Sequence, residues 1–196
     1  MKEKEIVERC VNPFIRIAGV PALLWGAVGL VVSTLLSWAS GYHYHGLLHF
    51  GPAPNPAWWC YLAEHLIVWL IPALLFYLGG IMFSRSRIRV VDVFGTVLFA
   101  QLPLIGMNLI YILPPMKMLL HLTPNMSPQE LLAQPGLITA VILSLFGLPF
   151  LVATVVWMFH ALKVSCNLKG GKLWAVALIG IIGGDALCRL LIRLFY

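Results

Sequence analysis

Residues 57–83 read AWWCYLAEHLIVWLIPALLFYLGGIMF and contain a single formally charged side chain, Glu64. A helix of about 20 predominantly apolar residues is long enough to cross the hydrocarbon core of a bilayer. Soluble domains seldom contain an apolar run of this length. The stretch therefore predicts a transmembrane helix.

Four further stretches have the same character, at residues 18–40, 93–113, 137–162 and 173–196. Hydrophobic residues make up 61% of the chain and charged residues 10%, whereas about 25% of a typical soluble domain is charged. This composition leaves no room for a separate water-soluble domain. We therefore predict an all-α fold, a polytopic bundle of five transmembrane helices formed by residues 18–196 and surrounded by the lipid bilayer.

Residues 1–17 differ from the rest because apolar and charged side chains recur there at helical spacing. Ile6, Val7 and Phe14 fall on one face, and Glu5 and Arg9 fall on another. This pattern is typical of a short amphipathic helix that lies along the lipid headgroups. A solvated tail is the alternative interpretation.

The basic residues predict the orientation of the bundle. Most of the 13 Lys and Arg residues lie in the amino-terminal segment, between the second and third stretches (Arg85, Arg87 and Arg89), or between the fourth and fifth. Basic residues are enriched in cytoplasmic connections. We therefore expect a cytoplasmic amino terminus and a carboxyl terminus on the opposite side. The net charge of +6 does not indicate nucleic-acid binding, because that function needs basic residues gathered on one surface.

Three central stretches contain a proline near mid-membrane: Pro72, Pro103 and Pro149. Each proline removes a backbone donor and frees a carbonyl group. Kinked helices packed in a bundle are therefore expected. The kinks could act as hinges or simply as packing shapes.

Small residues form stripes in the first and fifth stretches. Residues of this kind four positions apart let two membrane helices approach closely. The stripes predict helix packing within the bundle, and a homodimer interface is the alternative. The residues are Gly29, Ser33, Ser37 and Gly41 in the first stretch and Gly180 and Gly184 in the fifth.

Histidines are concentrated between the first and second stretches, close to the start of the second. Imidazole and carboxylate groups are ligands that Zn²⁺ prefers, so the cluster is a candidate zinc site. The spacing matches no established zinc signature, and the alternative is an interfacial belt of aromatic and amphipathic side chains. The candidate ligands are His43, His45, His49, Glu64 and His65, and the belt would include Tyr42, Tyr44, Trp58 and Trp59.

Asp185 and Arg189 lie inside the fifth stretch, at i and i+4. An ionisable side chain at membrane depth is costly and is normally paired or functional. The acid-first order favours an ion pair along one helix. A proton or ion pathway through the bundle is the alternative, and other polar residues could line the same interior. These are Gln101, Asn108, Ser144 and Thr154.

Motifs that accompany common active sites are missing from the sequence. There is no GxSxG, HExxH, GxGxxG or GxxxxGK[ST] pattern. Glu64 and His65 are adjacent, so a helix would separate their side chains by about 100°. We therefore expect no enzymatic activity.

Ser127, Pro128 and Glu130 form a capping-box pattern, which predicts a short helix between the third and fourth stretches.

Several short segments resemble a known family. They are Asn12 to Phe14, Asp92 to Thr96 followed by Gln101 to Pro103, and Trp157 followed by His160 to Leu162. With five apolar stretches, they resemble the compact bacterial branch of the Yip-type membrane proteins. Eukaryotic members lie in Golgi and endoplasmic-reticulum membranes and are linked to Rab-type GTPases. This chain lacks the long polar amino-terminal region and the DLYGP-like motif, so the GTPase partnership is not implied.

The resemblance implies a non-enzymatic integral membrane protein, here of the bacterial inner membrane. We predict a membrane scaffold or organiser that binds lipids, other membrane proteins or a second copy of itself. A small transporter or metal-binding protein that uses the histidines and Asp185 is the alternative. The scaffold interpretation requires no cofactor, whereas the metal-binding interpretation implies bound zinc.

Overall fold

A computed structural model describes residues 11–53, 56–122 and 126–194. Five helical segments in it are long and apolar enough to cross a membrane. We number them span 1 (Gly19–Ser40), span 2 (Trp58–Phe83), span 3 (Val90–Tyr111), span 4 (Leu137–Ser165) and span 5 (Gly170–Ile192). The predicted all-α bundle of five spans is confirmed. The chain is an integral membrane protein.

Spans 1 and 2 are continuous helices, whereas the other three are interrupted. Span 3 contains helices Val90–Phe99 and Leu104–Tyr111, and span 4 contains helices Leu137–Leu145 and Leu148–Ser165. In span 5 a π-helical turn, Ile179–Gly183, separates Gly170–Leu178 from Gly184–Ile192.

The prolines occupy two kinds of position. Pro103 is the N-cap of the second helix of span 3, and Pro149 lies in the first turn of the second helix of span 4. Proline is well tolerated in a first turn because the backbone N–H that it lacks would have no helical partner. Pro72 lies inside the unbroken helix of span 2. Thus two of the three prolines mark interruptions of their spans.

Span 3 is the most enclosed span, with half of its most apolar window buried. Span 1 packs against it at glycines. A Cβ atom on Gly26 would lie 2.8 Å from the backbone N of Phe99, and one on Gly95 would lie 2.6 Å from the backbone O of Gly19. These separations leave no room for side chains, so the two helices depend on glycine at both crossings.

The small-residue stripes face neighbouring spans inside the bundle. Gly29, Ser33 and Ser37 are buried in span 1, and a Cβ atom on Gly29 would clash with Leu102. Gly41 plays a different part: it ends the helix with a left-handed φ of 76°. In span 5 a Cβ atom on Gly180 would clash with Phe76, and one on Gly184 would lie 3.4 Å from Cγ of Pro72.

Many apolar side chains on the outside of the bundle are exposed, as a surface surrounded by lipid requires. They include Trp25, Val28, Ile142, Leu145, Leu178 and Leu190.

The segment between spans 1 and 2 folds back into the bundle as a hairpin, residues 43–51. Its strands β1 (His43–Tyr44) and β2 (Phe50–Gly51) are antiparallel, with His43 opposite Gly51 and Tyr44 opposite Phe50. His43, Tyr44 and Leu47 are at most 1% exposed. The predicted aromatic belt is therefore wrong for Tyr42 and Tyr44, which are buried, whereas Trp58 is 73% exposed.

Residues 1–10 of the predicted amphipathic segment lie outside the described residues. Among the others, Pro13–Ile15 form a 3₁₀ turn. Phe14 is buried, and its ring centroid lies 5.8 Å from that of Phe99 and 6.5 Å from that of Trp157. This part of the segment is thus attached to the bundle through Phe14.

Short helices follow span 3, at Pro114–Lys117 and Pro128–Leu132, with a 3₁₀ turn at Met118–His121 between them. The predicted capping box is confirmed: Glu130 N–H donates to Ser127 Oγ (3.3 Å), and Ser127 N–H donates to Glu130 Oε2 (2.7 Å). These hydrogen bonds from Ser127 lower the pKa of the Glu130 carboxyl below its ordinary value.

Candidate functional site

Glu64 lies in span 2, about 9 Å along the helix from Trp58 at ~1.5 Å per residue. Its carboxylate is fully buried and binds β1 of the hairpin in two places. Oε1 lies 2.7 Å from His43 Nδ1, and Oε2 accepts the backbone N–H of Tyr44 at 3.0 Å. A buried carboxylate requires such partners because it has lost its hydration. We call Glu64, His43 and the Tyr44 amide the Glu64 group.

Aromatic rings and the side-chain amide of Asn108 surround this group. The His43 ring lies 4.0 Å from the Tyr61 ring, measured between centroids. The Tyr44 hydroxyl donates to Asn108 Oδ1 at 2.9 Å, and the Tyr44 ring lies 4.4 Å from that of His65. Tyr44 thus links the hairpin to span 3 as well as to span 2.

His65 hydrogen-bonds to its own helix. Its Nδ1–H donates to the Tyr61 carbonyl at 2.7 Å. Its Nε2 atom is buried and has no hydrogen-bond partner among the residues that the structure describes. His65, Tyr44, Ser33 and Gln101 line a cavity of about 10 Å³, which is close to the space that one water molecule needs.

Asp185 lies in span 5, about 10 Å along the helix from Ile192 at ~1.5 Å per residue. It binds the far side of the hairpin. Oδ1 accepts the Leu48 backbone N–H at 2.8 Å, and Oδ2 lies 3.0 Å from His49 Nδ1. The carboxylate is largely buried, whereas the His49 side chain is 49% exposed. We call Asp185, His49 and the Leu48 amide the Asp185 group.

The predicted ion pair between Asp185 and Arg189 is wrong. No ion pair between described residues joins them, and the Arg189 guanidinium instead approaches His49, with Nη1 3.5 Å from Nε2. The hairpin passes close to both side chains: a Cβ atom on Gly46 would lie 2.6 Å from Asp185 Oδ1 and 2.9 Å from Arg189 Cγ. The carboxylate is therefore satisfied by the hairpin rather than along its own helix.

The five candidate zinc ligands do not converge on one point. His43 contacts Glu64, His49 contacts Asp185, and His45 Nε2 lies 3.2 Å from the Pro52 carbonyl O. Within residues 11–53, 56–122 and 126–194, no group of three or more His, Cys, Asp or Glu side chains is arranged to hold a metal. Zinc binding stays a prediction.

The other polar residues expected near Asp185 act elsewhere. Asn108 accepts from Tyr44, and Gln101 Nε2 donates to the Val68 carbonyl at 3.0 Å. Ser144 and Thr154 donate to carbonyls of their own span, those of Val141 and Phe150. None of these four hydrogen bonds reaches Asp185.

Sequence reasoning missed the insertion of the hairpin and therefore its backbone contacts. Tyr44 and Leu48 contribute amides, which no side-chain motif reveals. The Tyr42 hydroxyl donates to the Met116 carbonyl at 2.8 Å, a contact between two connections. The available signal was the pair Gly41 and Gly46, since glycines on both sides of an aromatic segment are typical of tight turns.

Comparisons with known proteins identify no relative. No family model matches the chain, and neither the curated proteins nor the solved structures contain a match. The resemblance to the Yip-type family therefore stays a prediction.

Proposed function

We propose that this chain is a non-enzymatic membrane scaffold or organiser of the Yip type. It would bind lipid or protein partners through the end of the bundle that carries the hairpin, which we call the hairpin end. The amino terminus would be cytoplasmic and the hairpin end would face the other side of a bacterial inner membrane.

One observation carries this proposal: the carboxylates of Glu64 in span 2 and Asp185 in span 5 both bind backbone amides of the hairpin. Glu64 accepts the Tyr44 N–H, and Asp185 accepts the Leu48 N–H. Ionisable groups at this depth often mark an ion pathway, but here each carboxylate is used to hold a connection in place. A surface of fixed shape is what a scaffold requires.

The enclosure of the Glu64 group also argues against catalysis. The side chains of His43 and Glu64 are 0% exposed. A substrate would have to displace the hairpin to reach them, and displacement would break the hydrogen bonds that position the two groups.

Site-specific photo-cross-linking in native membranes tests the proposal. A photoreactive residue at Trp58 probes the hairpin end, and one at Met82 is the matched control, because both positions are 73% exposed at opposite ends of span 2. We expect a discrete protein or lipid adduct at position 58 and none at 82. In the Glu64→Gln background, which weakens the hold on the hairpin, the adduct at 58 should diminish. Equal adducts at both positions, unchanged by Glu64→Gln, would contradict a specific partner surface.

A second candidate, a small proton-handling transporter, is favoured by the cavity beside His65. Its Nε2 atom is buried without a described partner, and the cavity is also lined by Gln101 and Tyr44. A water molecule there could relay a proton between these groups. Proton flux into liposomes decides between the candidates: flux that is abolished by His65→Gln and kept by the control His121→Gln would support the transporter, and no flux would leave the scaffold.

A further inference from the structure

A pocket of about 240 Å³ opens at the hairpin end, next to the Asp185 group. Two elements form it: β2 with the preceding turn, and the last turns of span 5. It is lined by His45, His49, Phe50, Arg189, Ile192 and Arg193. We call it the basic pocket, because four of these six side chains are basic.

Among the described residues the basic pocket has a net positive charge, because its two arginines, Arg189 and Arg193, lie near a single carboxylate, that of Asp185. No ion pair between described residues involves Arg189 or Arg193. The Arg189 guanidinium has one polar contact with the described residues, with His49 at 3.5 Å, and the Arg193 guanidinium has none. The nearby carboxylate of Asp185 is occupied by the Leu48 amide and by His49.

Two like charges four residues apart on a helix repel each other. Part of this cost is offset because cations are favoured at a helix carboxyl end, and span 5 ends at Ile192. A bound anion between the guanidinium groups would remove the remaining repulsion. The planar N–H groups of arginine match the oxygen atoms of a phosphate in a bidentate geometry.

Phe50, which is partly exposed, gives the basic pocket an apolar side, so a ligand with both a phosphate and an apolar part fits it better than a free ion does. The position agrees with this chemistry, since the end of a membrane span lies at the level of the lipid headgroups. His49 connects the pocket to the hairpin, because its ring lies between Asp185 Oδ2 (3.0 Å) and Arg189 Nη1 (3.5 Å).

We propose that the basic pocket binds a phosphate-bearing group, supplied in the membrane by the headgroup of an anionic phospholipid. This inference rests on the proposed scaffold function and names one partner of the hairpin end. Arg189 and Arg193 bind the phosphate oxygens, and Phe50 contacts the glycerol and the first acyl carbons.

Native mass spectrometry of the purified full chain, titrated with phosphatidylglycerol or phosphatidylcholine, tests the proposal. The test variant is Arg189→Gln/Arg193→Gln. The control is Arg85→Gln/Arg87→Gln, which removes the same charge at the far end of span 2. Because a hydrogen bond to a charged group corresponds to roughly a tenfold change in affinity, phosphatidylglycerol binding should weaken at least about tenfold in the test variant. The control should bind like the unmodified chain.

Inorganic phosphate is titrated in parallel to distinguish the two sources of the anion. Competition at equal concentration would identify a soluble phosphate as the ligand and overturn the lipid assignment. Equal binding of phosphatidylcholine, or equal losses in the test and control variants, would overturn the pocket itself. If the double variant unfolds, Arg193→Gln alone serves, since the Arg193 side chain has no polar contact with the described residues to lose. Cross-links at position 58 that persist while lipid binding fails would refute this inference and leave the scaffold proposal intact.

Discussion

The Glu64 group and the Asp185 group hold the hairpin with the same chemistry in different surroundings. Each combines a carboxylate, a histidine and a backbone amide of the hairpin. The side chains of Glu64 and His43 are both fully buried, whereas His49 beside Asp185 is 49% exposed. Solvent screens the interaction between exposed groups, so losing one partner costs little. When one partner of a buried pair is removed, water cannot solvate the group that remains. The Glu64 group should therefore contribute more to the free energy of unfolding than the Asp185 group, although the two groups have similar geometry.

The largest effect is expected from Glu64→Leu. This change leaves the His43 Nδ1–H and the Tyr44 amide without their acceptor in the core, at a cost of about 3–5 kcal/mol in the free energy of unfolding. Unfolding of the purified protein in mixed detergent micelles measures it. The double variant His43→Leu/Glu64→Leu should lose less than the single one, because a buried polar partner is removed as well. If the free energy of unfolding of Glu64→Leu lies within about 1 kcal/mol of that of the unmodified chain, the Glu64 group does not make the large contribution expected here.

Tyr44→Phe tests how much the hydrogen bond between the hairpin and span 3 contributes to stability. It removes the hydroxyl that donates to Asn108 Oδ1 at 2.9 Å and leaves that buried oxygen unsatisfied, so we expect a loss of about 1–3 kcal/mol. Tyr77→Phe is the matched control, because the Tyr77 hydroxyl has no hydrogen bond to the described residues. Similar melting temperatures for the two variants would show that the Asn108 contact contributes nothing.

Variants of Asp185 and Arg189 test whether the Asp185 carboxylate binds Arg189 along the helix or binds the hairpin. Asp185→Leu removes the acceptor of the Leu48 amide and should cost about 1–3 kcal/mol. Arg189→Gln should cost less than about 1 kcal/mol, because its contact with His49 is long and partly exposed. Both side chains contact His49, so the coupling energy from a double-mutant cycle should be small but measurable, below about 1 kcal/mol. A larger value would restore the ion pair expected from the i, i+4 spacing.

The smallest effect is expected at the capping box outside the spans. Since hydrogen bonds from Ser127 lower the pKa of Glu130, the ionised form stabilises the helix Pro128–Leu132. This contribution is present above the ordinary carboxyl pKa and is lost as the pH falls through the lowered value. Protection of the amides of residues 129–132 from hydrogen exchange, compared between pH 6 and pH 3, should show this loss, and Ser127→Ala should remove most of the pH dependence. Identical profiles would exclude the role of Glu130.

Local sequence signals predicted the parts of the fold that local physics decides. The apolar run of residues 57–83 predicted span 2, and Ser127 with Glu130 predicted a capped helix, because length and spacing suffice for both. The hairpin could not be predicted in this way. Tyr42 and Tyr44 are equally suited to a membrane interface and to a polar core, and only tertiary contacts decide between them.

The expected pair of Asp185 and Arg189 failed for a related reason. Residues four apart on a helix lie close together, but Asp185 instead binds Leu48, which is 137 positions away in the sequence. A backbone amide in a buried loop needs an acceptor, and the sequence of span 5 does not reveal that the loop is there.

Thiol labelling at Leu47 tests whether the hairpin is inserted between the spans. In a cysteine-free background, Leu47→Cys is compared with Pro52→Cys, because Leu47 is fully buried and Pro52 is exposed. A water-soluble maleimide applied to the protein in detergent should label position 52 rapidly and leave position 47 unlabelled. In the Glu64→Leu background, position 47 should become reactive. Equal labelling of positions 47 and 52 in the chain with Glu64 intact would contradict the inserted hairpin.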